Sequence, residues 1–512
     1  MPPRRSNKPA PPAPPSQIVV LLKPTDSDTP TGPPLSLSSA TTAADLTLLL
    51  NTLLSQPEDE PLPYSFFVGP VEIVSSIAAD IANLSAESQL TITYTPQALF
   101  RVRALTRCGA TMAGHTDAVL SAHFGPRGDS LATGSGDHTV RLWDLATGTP
   151  KATWKAHTGW VLAVAWSPDG KWVASGGMDG LVCVWAANAP GSRNGGTIAP
   201  VATLKGHRDA VTALAWEPLS ADRSAAAGCV RLASGSRDTT VRVWHVPTKR
   251  LEFAVTQHTK SVTAVKWGAE NLLYTASRDC TIKVWDAADG KLVRSLAGHG
   301  HWVNTMALST EAVLRTGIWD HTGTDPESVV AARSSASASG DAAAGSTAVA
   351  RAIHLAAKAR LTATHHGAER LVSGSDDFTM YLWTPASAKQ PVARMTGHQA
   401  LVNAVCFSAS GARIASASFD KSVKVWDGIT GTFLFSLRGH VSAVYGVVFS
   451  ADERLVLSCS KDSTCKVWDM RSRKMKAELP GHADEVYAVD WAPHGQKAAS
   501  ASKDRTVKVW CQ

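Results

Sequence analysis

Residues 118–145 read "AVLSAHFGPRGDSLATGSGDHTVRLWDL", and this stretch decides how most of the chain is interpreted. Short runs of alternating or buried-strand character are separated by Gly- and Pro-bearing turns, which describes strands and not a helix. His115 lies just before the stretch, Asp137 sits in its second turn, and Trp143 follows six residues later. The trio recurs as His157, Asp179 and Trp185; His207, Asp238 and Trp244; His258, Asp279 and Trp285; His299, Asp377 and Trp383. It continues as His398, Asp420 and Trp426; His440, Asp462 and Trp468; His482, Asp504 and Trp510. The step from Asp to Trp is six residues every time, and only two copies stretch the step from His to Asp beyond 22. That spacing allows about four strands per repeat, in a chain whose repeats must stack to bury a core.

The residue types fit a packing role. An Asp in a tight turn accepts bonds from local backbone N–H groups and from an imidazole, so a buried carboxylate is satisfied. A hydroxyl stands four residues before each Asp: Thr133, Ser175, Ser234, Thr275, Ser373, Ser416, Ser458 and Ser500. Catalysis needs one convergent constellation, whereas eight equivalent His/Asp pairs describe a structural device. The chain also lacks a GxxxxGK[ST] phosphate loop, so a non-catalytic protein is expected.

Gly-His, Asp and Trp-Asp recurring in register over some 400 residues resemble the WD-repeat family. The resemblance implies a mainly β fold, an eight-bladed propeller around a central channel, here over residues 101–512, in which His, Ser/Thr, Asp and Trp form a structural network inside each blade. In such a ring each repeat gives the outer strand of one blade and three inner strands of the next. The last copy, "KDRTVKVWCQ" at 503–512, lacks an outer strand, and residues near 102–112 of "RVRALTRCGATMAG" are expected to supply it and remove two open sheet edges.

The fifth copy carries an insertion at about 321–367 that includes "SSASASGDAAAGSTAVA". Its low complexity predicts disorder, apart from a short helix in "STAVARAIHLAAKARL", with His365 and His366 solvated. In WD-repeat propellers the residues beside the turn Asp and after the blade His share one rim. Here they include Trp160, Arg237, Arg278, Trp302, Phe419, Tyr445, Lys461, Tyr487 and Lys503, a mixture of bases and aromatics suited to an acidic partner or RNA phosphates.

Of 512 residues, 44% are hydrophobic and 18% charged, the balance of a folded protein. The net charge of +7 divides into an acidic first hundred residues and a basic remainder. No apolar run approaches a membrane span or a signal-peptide core, so an intracellular protein without membrane contact is expected. Cys108, Cys183, Cys229, Cys280, Cys406, Cys459, Cys465 and Cys511 show no CxxC pair and read as reduced small hydrophobes.

Residues 1–16 form a Pro-rich tail whose "PRRSNKP" reads as solvated or as a nuclear-import patch. Residues 17–98 alternate strands with one helix, "TTAADLTLLLNTLL", capped by Thr41 or Thr42, which suggests a small α+β domain of the ubiquitin-like kind.

"PLPYSFFV", "LTITYTPQALFRVRALTRC", "AGHTDAV", "GHGHWVNTMALSTEAVLRTG" and "ERLVSGSDDFTMYLW" together resemble the Notchless family over nearly the whole chain. The resemblance implies a nuclear and nucleolar assembly factor of the large ribosomal subunit, monomeric and without an intrinsic cofactor. Its propeller would sit on the pre-ribosome. Its ubiquitin-like head, the NLE domain, would bind the Mg²⁺-dependent adhesion site of midasin, an AAA-type ATPase. The family's metal-contacting Glu corresponds to Glu87 in "LSAESQLTITY", which by itself is one acid in a polar loop. A hard cation with an open position takes such a carboxylate readily. A rival reading, substrate receptor of a cullin-type ubiquitin ligase, rests on "KVWDMR" at 466–471.

Overall fold

The computed structural model describes residues 17–25, 29–54, 62–69, 71–73, 75, 77, 89–96, 101–187, 199–221, 229–338, 342–364 and 367–512. Glu87, the tail 1–16 and the His365/His366 pair lie outside the described residues. The chain divides into two compact units, Met1–Arg101 and Val102–Gln512.

In the first unit, β1 (Gln17–Pro24), β2 (Leu35–Ser38), β3 (Tyr64–Val68), β4 (Val71–Glu72) and β5 (Leu90–Pro96) form one sheet in the order β2-β1-β5-β3-β4. β1 and β5 run parallel at its centre, and the other pairs are antiparallel. Alternation along β1 turns Ile18, Val20 and Leu22 inward, where they meet Leu46 and Leu50, one turn apart on α1 (Ala43–Leu53). Thr42 caps α1, accepting from the Asp45 N–H while the Asp45 carboxylate accepts from the Thr42 N–H.

The second unit contains eight antiparallel sheets of four strands each. Their innermost strands are Val119–Phe124, Val161–Trp166, Val211–Trp216, Val262–Trp267, Val303–Leu308, Val402–Phe407, Val444–Phe449 and Val486–Trp491, which number blades 1 to 8. Each touches the next, and the eighth touches the first, so the ring is closed. Every innermost strand opens on a fully buried Val and carries a bulge directly after it. The residue at the bulge leaves the ladder. In four blades it bonds across to the next one: Thr212 and Thr263 donate to the carbonyls of Val262 and Val303, and Asn304 and Asn403 to those of Val402 and Tyr445.

The outer strand of blade 8 comes from the start of the ring. β6 (Arg107–Ala113) pairs antiparallel with Thr506–Cys511, from Arg107 beside Cys511 to Ala113 beside Thr506.

The insertion corrects the expectation of disorder. It is preceded by α2 (Glu311–Thr316) and contains α3 (Glu327–Ala338) and α4 (Ala342–Thr364), so the helix read from 346–361 is longer at both ends. Alanine is the strongest helix former, and a few larger side chains provide the anchorage that composition averages away. Ile318, Trp319, Val329 and Ala357 share a buried cluster with Val182 and Leu204 of blade 2 and with Trp216, Leu219, Cys229 and Val246 of blade 3. The His354 Nδ1–H donates to the Leu219 carbonyl over 3.0 Å. The insertion therefore leaves blade 5 and packs on other blades. Just before the insertion, α2 places Glu311 on Lys266 of blade 4 and Arg315 on Asp490 of blade 8.

Candidate functional site

The His, Asp and Trp landmarks meet in all eight blades. Each His Nδ1 lies 2.7 to 3.2 Å from its turn Asp. Each Nε2 lies 2.7 to 2.9 Å from the expected hydroxyl. The blade Trp Nε1–H donates to the same hydroxyl over 2.8 to 3.0 Å. Indole N–H can only donate, so the hydroxyl accepts it; where the His is neutral the hydroxyl donates its O–H to Nε2, leaving Nδ1–H to donate to Asp. Burial pushes the imidazoles of His115, His207, His440 and His482 down, which keeps them in this neutral form. All eight hydroxyls are fully buried, and no substrate reaches them.

The tryptophans of the blade network belong to the packed core. Trp143, Trp185, Trp244, Trp285, Trp383, Trp426, Trp468 and Trp510 are each no more than 3% exposed. Their single polar atom, Nε1, is already committed to the blade hydroxyl, so none of them has a donor left for a ligand. Trp143 packs with Met112 and Val507, and Trp185 lies stacked on Trp154 at 5.1 Å. Trp244, Trp285, Trp383, Trp426 and Trp468 each lie in a buried apolar cluster of their own. Trp510 packs edge-on to His482 at 6.5 Å. These indoles hold strands together and face no partner, because burying so large a ring removes more apolar surface from water than any other side chain would.

Two further hydroxyl columns complete this network; the first is legible in the sequence, where Gly177 of the second repeat departs from the Ser of other copies, and the second was not read there. A Ser two residues before the Asp accepts the Asp backbone N–H in seven blades. A Thr or Ser two residues after it donates to Asp Oδ1 in the same seven. Blade 2 has Gly177 and Leu181 at these places. There Asp179 presents both oxygens to His157 at 3.1 Å. Burial pulls His157 down, but its bonds to Asp179 and Cys183 outweigh that and hold it at about 9.

The same turns build the exposed rim. In every blade the N–H of the residue before the turn Asp donates to the carbonyl of the residue before the buried Val, as Met178 does to Trp160 over 2.8 Å and Lys503 to Glu485 over 2.9 Å. This bond brings the two rim positions of each blade together. Trp160 and Met178 are 49% and 45% exposed, an apolar pair facing solvent on blade 2. Arg237 is exposed on blade 3. The Arg278 guanidinium covers the Trp302 ring at 4.5 Å, linking blades 4 and 5.

Across blades 6 to 8 the aromatics form a ladder. Phe419 and Tyr445 stand 5.6 Å apart, and Tyr445 and Tyr487 stand 5.7 Å apart. The Tyr445 hydroxyl donates to Glu485 over 3.0 Å; burial, then this carboxylate, pushes its pKa up to about 12. Lys461 lies 3.7 Å from Glu485 and Lys503 3.4 Å from Asp484, so part of the expected basic charge is answered locally. The rim is an aromatic surface edged with cations and not a plain basic stripe. Among the described residues, no group of three or more His, Cys, Asp or Glu is placed to hold a metal ion.

Comparison with known proteins agrees with this architecture. The family described as "WD domain, G-beta repeat" matches residues 106–144, 148–186, 198–245, 249–286, 389–427, 431–469 and 473–511, and the "NLE (NUC135) domain" matches 18–80. The unmatched copy is the one split by the insertion, although its sheet is complete. The chain is 46% identical to a "Notchless protein homolog" of Arabidopsis thaliana, over 77% of this chain and 76% of that one. It is 45% identical to "Protein Notchless" of Drosophila melanogaster, over 74% and 72%. It is 38% identical to "Ribosome assembly protein 4" of Saccharomyces cerevisiae, over 79% and 76%. A solved structure, the computationally designed Ika8 protein, superposes with a TM-score of 0.58 at 27% identity, covering 79% of this chain and all of that one.

Proposed function

The chain belongs to the Notchless family, and from that premise we propose that it is a non-catalytic assembly factor of the large ribosomal subunit, acting in the nucleus and nucleolus. The observation that carries this reading is the union, in one chain, of an NLE head and a WD-repeat ring similar to proteins named for ribosome assembly. The ring docks on the pre-ribosome through its aromatic and cationic turn rim. The head engages midasin, with the Glu87 carboxylate supplying an oxygen ligand to a Mg²⁺ held in the partner's adhesion site. The position of Glu87 in the sequence and the preference of a hard cation for charged oxygen support that contact. ATP hydrolysis by the partner then pulls on the head while the ring holds its seat.

The test is affinity purification of the tagged chain from nuclear extract. Recovery of large-subunit precursors and midasin supports the proposal, and recovery of a ligase adaptor and cullin instead replaces it with the ubiquitin-ligase reading. Glu87→Ala and Glu87→Asp should each abolish Mg²⁺-dependent binding of the adhesion domain. Binding that persists in EDTA removes the metal bridge.

A further inference from the structure

The ring is closed without a covalent bond, by β6, and β6 is also the strand joined most directly to the head. Its first residue, Arg107, pairs with Cys511 next to the end of the last strand. Tension applied between the head and the end of the chain would meet this ladder at one end and break its hydrogen bonds one after another. Such a zipper resists force poorly, because only one pair carries the strain at a time.

The five residues before β6 change that geometry. Val102 is 6% exposed and Leu105 is 0% exposed, although both lie outside any strand. The Val102 N–H donates to the Asp452 carboxylate over 2.7 Å, reaching the turn after the innermost strand of blade 7, not blade 8. That carboxylate is itself fixed, accepting from the Ser450 hydroxyl and the Arg454 N–H. The Thr106 N–H donates to the Cys511 carbonyl over 3.0 Å. A charge-assisted bond and two buried apolar side chains thus stand between the head and the first ladder pair.

We propose that Val102, Leu105 and Asp452 form a mechanical anchor. It diverts tension on the head into blade 7, so that the closing strand is not unzipped from blade 8. Its relevance in the cell rests on the reading that the head is pulled, whereas its mechanical action does not.

The experiment is single-molecule force spectroscopy on the full chain, held by tags at its two ends. The wild-type ring should open in a distinct high-force step. Asp452→Ala should lose that step and open at low force with its unloaded melting midpoint unchanged; separately, the double variant Val102→Asp with Leu105→Asp should lose the step and also melt lower, because it places two charges at buried positions. Asp452→Ala leaves both apolar residues in place and so keeps the test valid if the double variant fails to fold. Opening of the Asp452→Ala protein at the wild-type force overturns the anchor. So does an equal loss of its unloaded stability, which would mean that the contact holds the ring at rest and not under tension. Binding of the adhesion domain, measured in parallel, reports on the head alone, and its loss in Glu87→Ala leaves the force result standing.

Discussion

Arg315 lays its guanidinium on the carboxylate of Asp490, 175 residues further along the chain, with one bond of 2.8 Å and a second, shorter one. Asp490 belongs to blade 8 and is 4% exposed. One helical turn earlier on α2, Glu311 meets Lys266 of blade 4. Blades 4 and 8 are half a ring apart, so α2 is a brace across the channel. Removing the guanidinium in Arg315→Ala leaves a buried carboxylate with only backbone partners and should cost about 3 kcal/mol. Urea unfolding would show a lower midpoint. Removing both charges, with Arg315→Gln and Asp490→Asn, should restore most of the loss.

Gly177→Ser restores the residue that the other seven blades carry, and repeat averaging would call it stabilising. The structure gives the opposite sign. A Cβ at Gly177 would lie 2.6 Å from both Asp179 Oδ1 and His157 Nδ1, atoms fixed by their bond to each other. The substitution should destabilise the ring by about 1 to 2 kcal/mol. A rise in melting temperature would mean that blade 2 relaxes into the geometry of its neighbours.

Acid should weaken the ring in two stages. His115, His207, His440 and His482 have folded pKa values below the usual ~6.5, so their contribution begins to fade as pH drops through that value. Burial alone would raise Asp179, Asp238, Asp462 and Asp504, but their hydrogen bonds more than offset it and hold them at about 2. Their unfolded value is ~3.9, so their stabilisation is complete above about pH 4 and is lost between about 4 and 2. His157, held at about 9, acts in reverse and gives up its contribution as pH rises from ~6.5 to 9. Urea midpoints measured across pH 2 to 9 should show a maximum near neutrality. Asp504→Asn should flatten the limb below about pH 4.

Closure of the ring depends on β6. Met112 is 2% exposed and belongs to the cluster joining blades 1 and 8, so Met112→Asp should cost about 3 kcal/mol by placing a charge there. Deleting residues up to Thr111 should have a larger effect and expose two sheet edges. Light scattering on heating would register the aggregation that open edges promote.

Trp160 offers the converse case. It is 49% exposed and contributes to the rim, so Trp160→Asp should change stability by no more than ~0.5 kcal/mol. It should nevertheless reduce recovery of pre-ribosomal particles with the tagged protein. Unchanged recovery would take blade 2 out of the docking surface.

The period of His, Asp and Trp was enough to establish the strands and the repeats, and the resemblance to WD-repeat proteins supplied the eight-bladed ring and the origin of the missing outer strand. Each follows from short-range geometry repeated at fixed spacing, with a turn that needs a carboxylate and an indole that needs an acceptor. Sequence could not show that Arg315 would find Asp490, or that Val102 would reach Asp452, because both pairs join blades remote in the chain. It misjudged the insertion for the same reason: Trp319, Val329 and His354 look isolated among alanines until the ring brings blades 2 and 3 beneath them. Local patterning is written in neighbouring residues, whereas the brace, the anchor and the ordered insertion exist only where closing the ring places distant side chains together.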